Sequence, residues 1–221
     1  MQKQKLAVKS LIFALAAGII SIGCNESELK ALQKSCVKDR LNAACEKLCD
    51  LNNSNGADGC FNLAMLYEAE KDFVKASRHY QKACDLGSAS GCNNVGWLYA
   101  VGFIEGQFVG SDFAKAFSYY TKSCDLDYAP ACKNLGVLYE YGKSVEQDFT
   151  KAFSFYKKAC DLDFANGCLN LGVLYANGQG VKLDDTKAKK LFGKACDLGS
   201  QLSCDVDKVF DKHFFNRYSF E

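Results

Sequence analysis

The chain has 221 residues, 48% of them hydrophobic, with a single proline and a formal net charge of +1. That composition supports a sizeable buried core and argues against long disordered linkers and against the clustered basic surface that nucleic-acid binding needs. Thirteen cysteines point to disulfides and an oxidising compartment.

The N-terminus reads as a targeting segment. Lys3, Lys5 and Lys9 precede an apolar run from Leu11 to Ile22, interrupted by Gly18 and Ser21. A bilayer span takes about 20 residues, so this shorter run suits the apolar region of a secretory signal. Ser21 and Gly23 place small residues where a signal peptidase reads, so residues 1–23 are expected to be removed before Cys24. An uncleaved anchor is the alternative. Without the three lysines, 24 basic residues face 26 acidic ones. Ile20-Ser21-Ile22-Gly23-Cys24 is similar to a bacterial lipoprotein box, with Ser21 where a branched aliphatic residue is usual. Cys24 is therefore a lipidation candidate, or else the leading thiol of a soluble export, free or paired between chains.

Residues 24–58 form an N-terminal cap and an irregular half-repeat. Cys45 and Cys49 sit four apart on an expected helix, on one face, a placement that disfavours a bond between them. Each is expected to reach outward, Cys45 to Cys36 and Cys49 to Cys60. Four units follow: 59–90, 91–130, 131–166 and 167–202. A fixed period of this size marks a solenoid of stacked units. Each unit carries the first cysteine of a pair, in Cys-Asp-Leu, with its mate opening the next helix: Cys84 and Cys92, Cys124 and Cys132, Cys160 and Cys168, Cys196 and Cys204. Among the connectivities that twelve thiols allow, the spacing favours these nearest-neighbour bridges. Six pairs leave no thiol for catalysis or metal ligation beyond Cys24.

Within the units, Leu135, Leu138 and Tyr139 share a helical face. Gly96, Gly136 and Gly172, with Ala64, recur where a neighbouring helix must approach closely. Gly142, Gly178 and Gly180 end first helices. Asp112, Asp148 and Asp184 precede second helices, where an aspartate caps free N–H groups. Ala152, Phe155, Tyr156 and Ala159 repeat the pattern of Ala116, Tyr119, Tyr120 and Ser123. Residues 91–130 carry four extra positions before Asp112, and residues 59–90 lack four in the same loop. Residues 203–221 are expected to be a capping helix, with Val206, Val209, Phe210 and Phe214 inward and Lys208, Lys212 and Arg217 solvated. The expected fold is all-α: an α/α superhelical solenoid of disulfide-stapled helix pairs.

Leu171-Gly172-Val173-Leu174-Tyr175, Asn177-Gly178-Gln179-Gly180-Val181, Lys187-Ala188 and Lys194-Ala195-Cys196 resemble the Sel-one-like repeat family, relatives of tetratricopeptide repeats. Replacing two small residues by a cysteine pair, unit after unit, is similar to its Helicobacter cysteine-rich protein (Hcp) subfamily. The resemblance implies a right-handed superhelix with a concave face, export, and an association with β-lactam binding and weak β-lactamase activity.

The first helix of each unit is expected to line that face. Asn62, Asn94, Asn134 and Asn170 recur two residues after a cysteine, and an amide ladder can hold peptide backbone. Helix closure is the alternative role. Trp97, Lys133 and Asn177 join them as groove candidates, with Met65, Asn93, Val137 and Tyr141 beside them. Tyr67, Tyr99, Tyr139 and Tyr175 read as core. Ser27/Lys30, Ser35/Lys38 and Ser154/Lys157 have the Ser-x-x-Lys spacing of serine β-lactamases, but Ser-Asp-Asn and Lys-Thr-Gly are absent from the sequence. No catalytic residue can be named. His79 and His213 lack metal-ligand spacing, so no metal or cofactor is expected. The first reading is an exported scaffold, in the periplasm, anchored at the outer membrane or secreted, that binds a peptide, a peptidoglycan fragment or a protein partner. It is expected to be monomeric, to bind no nucleic acid, and to attach to a membrane if Cys24 is lipidated. The alternative, implied by resemblance alone, is a β-lactam-binding protein with weak hydrolytic activity.

Overall fold

The computed structural model describes residues 26–206 and 208, apart from 40, 52 and 105. The signal segment, Cys24, His213 and the apolar residues of the capping segment from Val209 onward lie outside the described residues. Helices α1 (Glu26–Val37), α2 (Asn42–Cys49), α3 (Ser54–Ala69), α4 (Phe73–Asp85) and α5 (Ala89–Val101) come first. A short antiparallel hairpin follows, β1 (Phe103–Ile104) against β2 (Gln107–Phe108), and then α6 (Phe113–Asp125), α7 (Ala129–Glu140), α8 (Phe149–Asp161), α9 (Ala165–Asn177) and α10 (Asp185–Asp197). Residues 201–206 are again helical. The fold is the expected all-α repeat, with one departure. The four extra residues of the second unit are not a plain loop but help build the hairpin.

The described chain groups into two compact units. One runs to Leu98 and takes in Gly102–Gly110; the other holds Tyr99–Val101 and the residues from Ser111 onward. In the first unit α2 packs on α1 and α3, and α3 on α4. In the second, α7 packs on α6, α8 and α9, while α9 packs on α8 and α10.

All six expected bridges are present: 36–45, 49–60, 84–92, 124–132, 160–168 and 196–204. The four regular ones join the last turn of one helix to the first turn of the next, with Cα atoms 4.4–4.8 Å apart. At two of the four, the residue before the second cysteine is a glycine, Gly91 or Gly167. A β-carbon on Gly167 would lie 2.6 Å from Ala159 Cβ. The other repeated glycine meets an aromatic ring. A β-carbon on Gly136 would lie 2.4 Å from Tyr156 Cε1, and one on Gly172 would lie 2.6 Å from Phe192 Cε1. Tyr156 and Phe192 are buried core residues, so the missing side chain gives the ring its place.

The second helices start where Asp112, Asp148 and Asp184 predict, and Asp72 caps α4 in the same way. Asp72, Asp112, Asp148 and Asp184 each accept from the main-chain N–H three residues on, at 2.9–3.1 Å. Their carboxyl groups are held below the usual range. The Lys75 side chain leads at Asp72, and the capped N–H leads at the other three. The second helices end in a left-handed residue, Gly87, Asp127, Asp163 or Gly199, as helices commonly do.

Candidate functional site

The tyrosine stripe is structural, as expected of it. Tyr67 is buried, and Tyr99, Tyr139 and Tyr175 are half-buried. Each lies under a lysine ammonium, Lys75, Lys115, Lys151 or Lys187, 4.9–5.2 Å from the ring centroid. The same lysines pair with the capping aspartates at 3.0–3.5 Å. Tyr99 stacks on Tyr119 and Tyr139 on Phe155, with centroids 5.6 Å apart. His79 takes the equivalent place against Tyr67, at 5.4 Å.

The asparagines are half-buried on the first helices. The Asn94 amide bears on the phenol of Tyr80 and the Asn170 amide on that of Tyr156, each drawing the phenol's pKa down against the larger upward push of burial. Asn134 Oδ1 accepts from Lys133 Nζ at 2.7 Å. Burial holds the Lys133 amine below its ordinary pKa. Asn177 is exposed and donates to Gln179 Oε1 at 3.3 Å. Met65, Trp97 and Tyr141 are exposed, while Asn93 and Val137 are half-buried. Lys133, Asn134, Asn170 and Asn177 belong to the second unit, while Asn62, Asn94 and Trp97 belong to the first.

Two of the predicted residues, Asn94 and Trp97, meet in a cleft of about 410 Å³ in the first unit. They stand three apart on α5, one turn, so both face the same way. The other lining groups come from α3 (Glu68), α4 (Phe73, Ala76, Ser77, Tyr80), α5 itself (Leu98) and the hairpin (Phe103). Trp97 is 50% exposed although it is the chain's single tryptophan. Tyr80 Oη donates to Glu68 Oε2 at 2.5 Å. Burial first, and then that carboxylate, push the Tyr80 phenol far above its ordinary pKa, so it stays a donor. Phe103 meets Phe73 edge-on with centroids 5.5 Å apart. Gly106, in the left-handed region at φ 80°, leaves room for Val74, whose Cγ2 would lie 2.8 Å from an added β-carbon. Sequence reasoning missed Glu68, Phe73, Tyr80 and Phe103. The available signal was the pair of length changes, one loop shortened next to Phe73 and the next lengthened around Phe103.

The Ser154/Lys157 segment does not assemble a nucleophile and base. Ser154 Oγ donates to Thr150 O at 3.0 Å, while Lys157 Nζ pairs with Asp161 at 2.6 Å. Lys30 pairs with Glu26, and Ser35 is buried. Among the described residues, no three His, Cys, Asp or Glu side chains gather as metal ligands would, and no helix is long and apolar enough to cross a membrane.

The model of the Sel1 repeat matches residues 57–88, 89–128, 129–164 and 165–200. HcpC of Helicobacter pylori, a protein named as a candidate β-lactamase, is 54% identical over 33 residues, which span 15% of this chain and 11% of HcpC. Cysteine-rich protein B (HcpB) of Helicobacter pylori is 37% identical, over 62% of this chain and 96% of that one, with a TM-score of 0.49. The protective antigen c5321 of uropathogenic Escherichia coli, which displays an SLR fold, covers 94% of this chain at 23% identity with a TM-score of 0.66. This chain spans 41% of that structure, and the likeness is one of fold alone.

Proposed function

The chain belongs to the Sel1 repeat family, and from that premise we propose that it is an exported scaffold which docks a peptide-like ligand, an extended segment of a protein partner above all, on the first helices of its repeats. Six disulfides fit an oxidising compartment, the periplasm or the exterior of the cell. The single observation that carries the docking reading is the first-unit cleft, where a half-exposed Trp97 and the Asn94 amide share one concavity. An exposed aromatic beside convergent polar groups is what a binding hot spot consists of. A folded helix-pair scaffold also holds such groups at fixed spacing, which suits an extended guest. β-Lactam hydrolysis gains no support from the Ser-x-x-Lys segments.

The test is an array of short random peptides, with muropeptides in parallel wells, probed with the purified chain. Retained peptides should change Trp97 emission, and Trp97→Ala should abolish retention while leaving the melting curve intact. Retention of muropeptides alone would move the reading to cell-wall fragments. Failure to retain either class would overturn it.

A further inference from the structure

The first-unit cleft is lined by aromatic rings and by a few polar groups, one of them a carboxylate. Phe73, Trp97 and Phe103 line it with rings, and the exposed Glu68 lines it with a carboxylate. Tyr80 Oη donates to Oε2 of that carboxylate, which fixes the group and leaves Oε1 outside that bond. Glu68 stands in the last turn of α3, where carbonyls without intrahelical partners make the helix end negative. The Lys75 ammonium, on α4, is committed to Asp72 at 3.0 Å and to the Tyr67 ring.

Ring faces attract cations through their quadrupole, and a carboxylate attracts them by charge. Both parts of the cleft therefore favour one kind of guest, a cation on an apolar stem. A neutral apolar guest would strip water from Glu68 without giving it a counter-charge. An anionic guest would meet like charge. Asn94 stands in the same cleft, its Oδ1 accepting from Asn93 Nδ2 at 3.3 Å and keeping a second lone pair for a peptide N–H.

We propose that this cleft is a cation box, taking the side chain of one lysine or arginine from a peptide docked on the first unit. The ammonium or guanidinium lies at Glu68, and the methylene stem lies among Phe73, Trp97 and Phe103. The inference rests on the peptide-docking reading and names the residue class which that reading leaves open. It also gives the hairpin a purpose, since Phe103 stands in the lengthened loop.

The experiment titrates the full chain with acetylated, amidated Gly-Lys-Gly and Gly-Arg-Gly, and with their norleucine and citrulline counterparts, following Trp97 emission. The cationic peptides should bind about tenfold tighter than the neutral ones, the size of one charge-assisted contact. Glu68→Gln keeps an acceptor for Tyr80, so the fold should melt as before while the charge preference disappears. Phe103→Ala should weaken both classes of peptide. Equal affinities, a preference that survives Glu68→Gln, or no response to either cationic peptide would each overturn the box. Random-array peptides that depend on Trp97 but carry no lysine or arginine would overturn the box and leave peptide docking standing. An array that retains no peptide would overturn the docking reading itself.

Discussion

The ammonium of Lys158 lies 2.8 Å from the main-chain oxygen of Cys124. It also meets Asp127 Oδ1 at 2.9 Å. Lys194 repeats the arrangement with Cys160 O and Asp163 Oδ1, both at 2.9 Å. Each lysine thus ties one second helix to the end of the second helix a repeat earlier. The carbonyl it meets belongs to a last turn, where the helix end is negative, and it also accepts from the main-chain N–H of Asp127 or Asp163 at 3.0–3.1 Å.

Replacing Lys158 or Lys194 by methionine should lower stability by about 1 kcal/mol each, a charged hydrogen bond discounted for partial exposure. Urea unfolding with an unchanged slope checks it. A loss no larger than that of Lys190→Met, on an exposed position of α10, would mean that the clamp contributes nothing.

The repeated glycines give a graded prediction. Gly136→Ala and Gly172→Ala push a methyl group into Tyr156 and Phe192, and should each cost about 1–3 kcal/mol, as overpacking does. Gly193, also helical, would place its β-carbon with nothing within 4 Å. Gly193→Ala should therefore stabilise by about 0.5–1 kcal/mol, the ordinary helix preference for alanine. Thermal melts should order the variants Gly193→Ala, parent, Gly136→Ala. Tyr156→Leu should recover part of the Gly136→Ala loss if the ring is the obstacle.

What the sequence shows and what it hides divide along contact range. The bridges were legible because each regular pair spans eight residues of one helix–turn–helix, and the caps because Asp148 and its N–H partner at Lys151 are three apart. Gly136 announced a close approach by its recurrence, though not the ring that makes it. The lysine clamp spans 34 residues, and nothing local marks Lys158 as different from a solvated lysine. The cleft is harder still. Phe103 meets Phe73 only because a lengthened loop folds as a hairpin over the start of α4, and loop length does not state loop shape. Asn94 and Trp97 could be picked as groove residues from helical spacing. Glu68 and Tyr80 could not, since their pairing depends on how α3 packs on α4.

The staples should act locally. Replacing both Cys160 and Cys168 by alanine opens a bridge with a sequence separation of 8 and should cost about 2.5 kcal/mol in the chain-entropy model. A repeat array couples mainly to its neighbours, so hydrogen exchange should rise most in α8 and α9. Uniform exchange across the described helices would mean that this bridge stabilises the chain as a whole.

His79 gives the chain a titration that its repeat partners lack. It stacks on Tyr67, and its Nδ1 lies 3.7 Å from Cys49 Sγ. Burial chiefly, then the charges of Lys82 and Lys75, hold its pKa below the ordinary 6.5, against the opposite pull of Glu46 and Asp50. Below pH 6.5 the unfolded chain takes up a proton that the folded chain resists. Unfolding is then favoured, and stability falls as the pH drops from 6.5 towards the folded value. The capping aspartates act in a lower window: their stabilisation is complete above 3.8 and lost as the pH falls through their lowered folded values. The two effects therefore separate. His79→Phe, which puts an aromatic ring where Phe155 stands one pair of repeats later, should flatten stability between pH 5 and 7 while leaving the acid limb near the carboxyl range unchanged. Urea midpoints measured across that range for both proteins decide it. A slope that persists in the variant would assign the titration to another group.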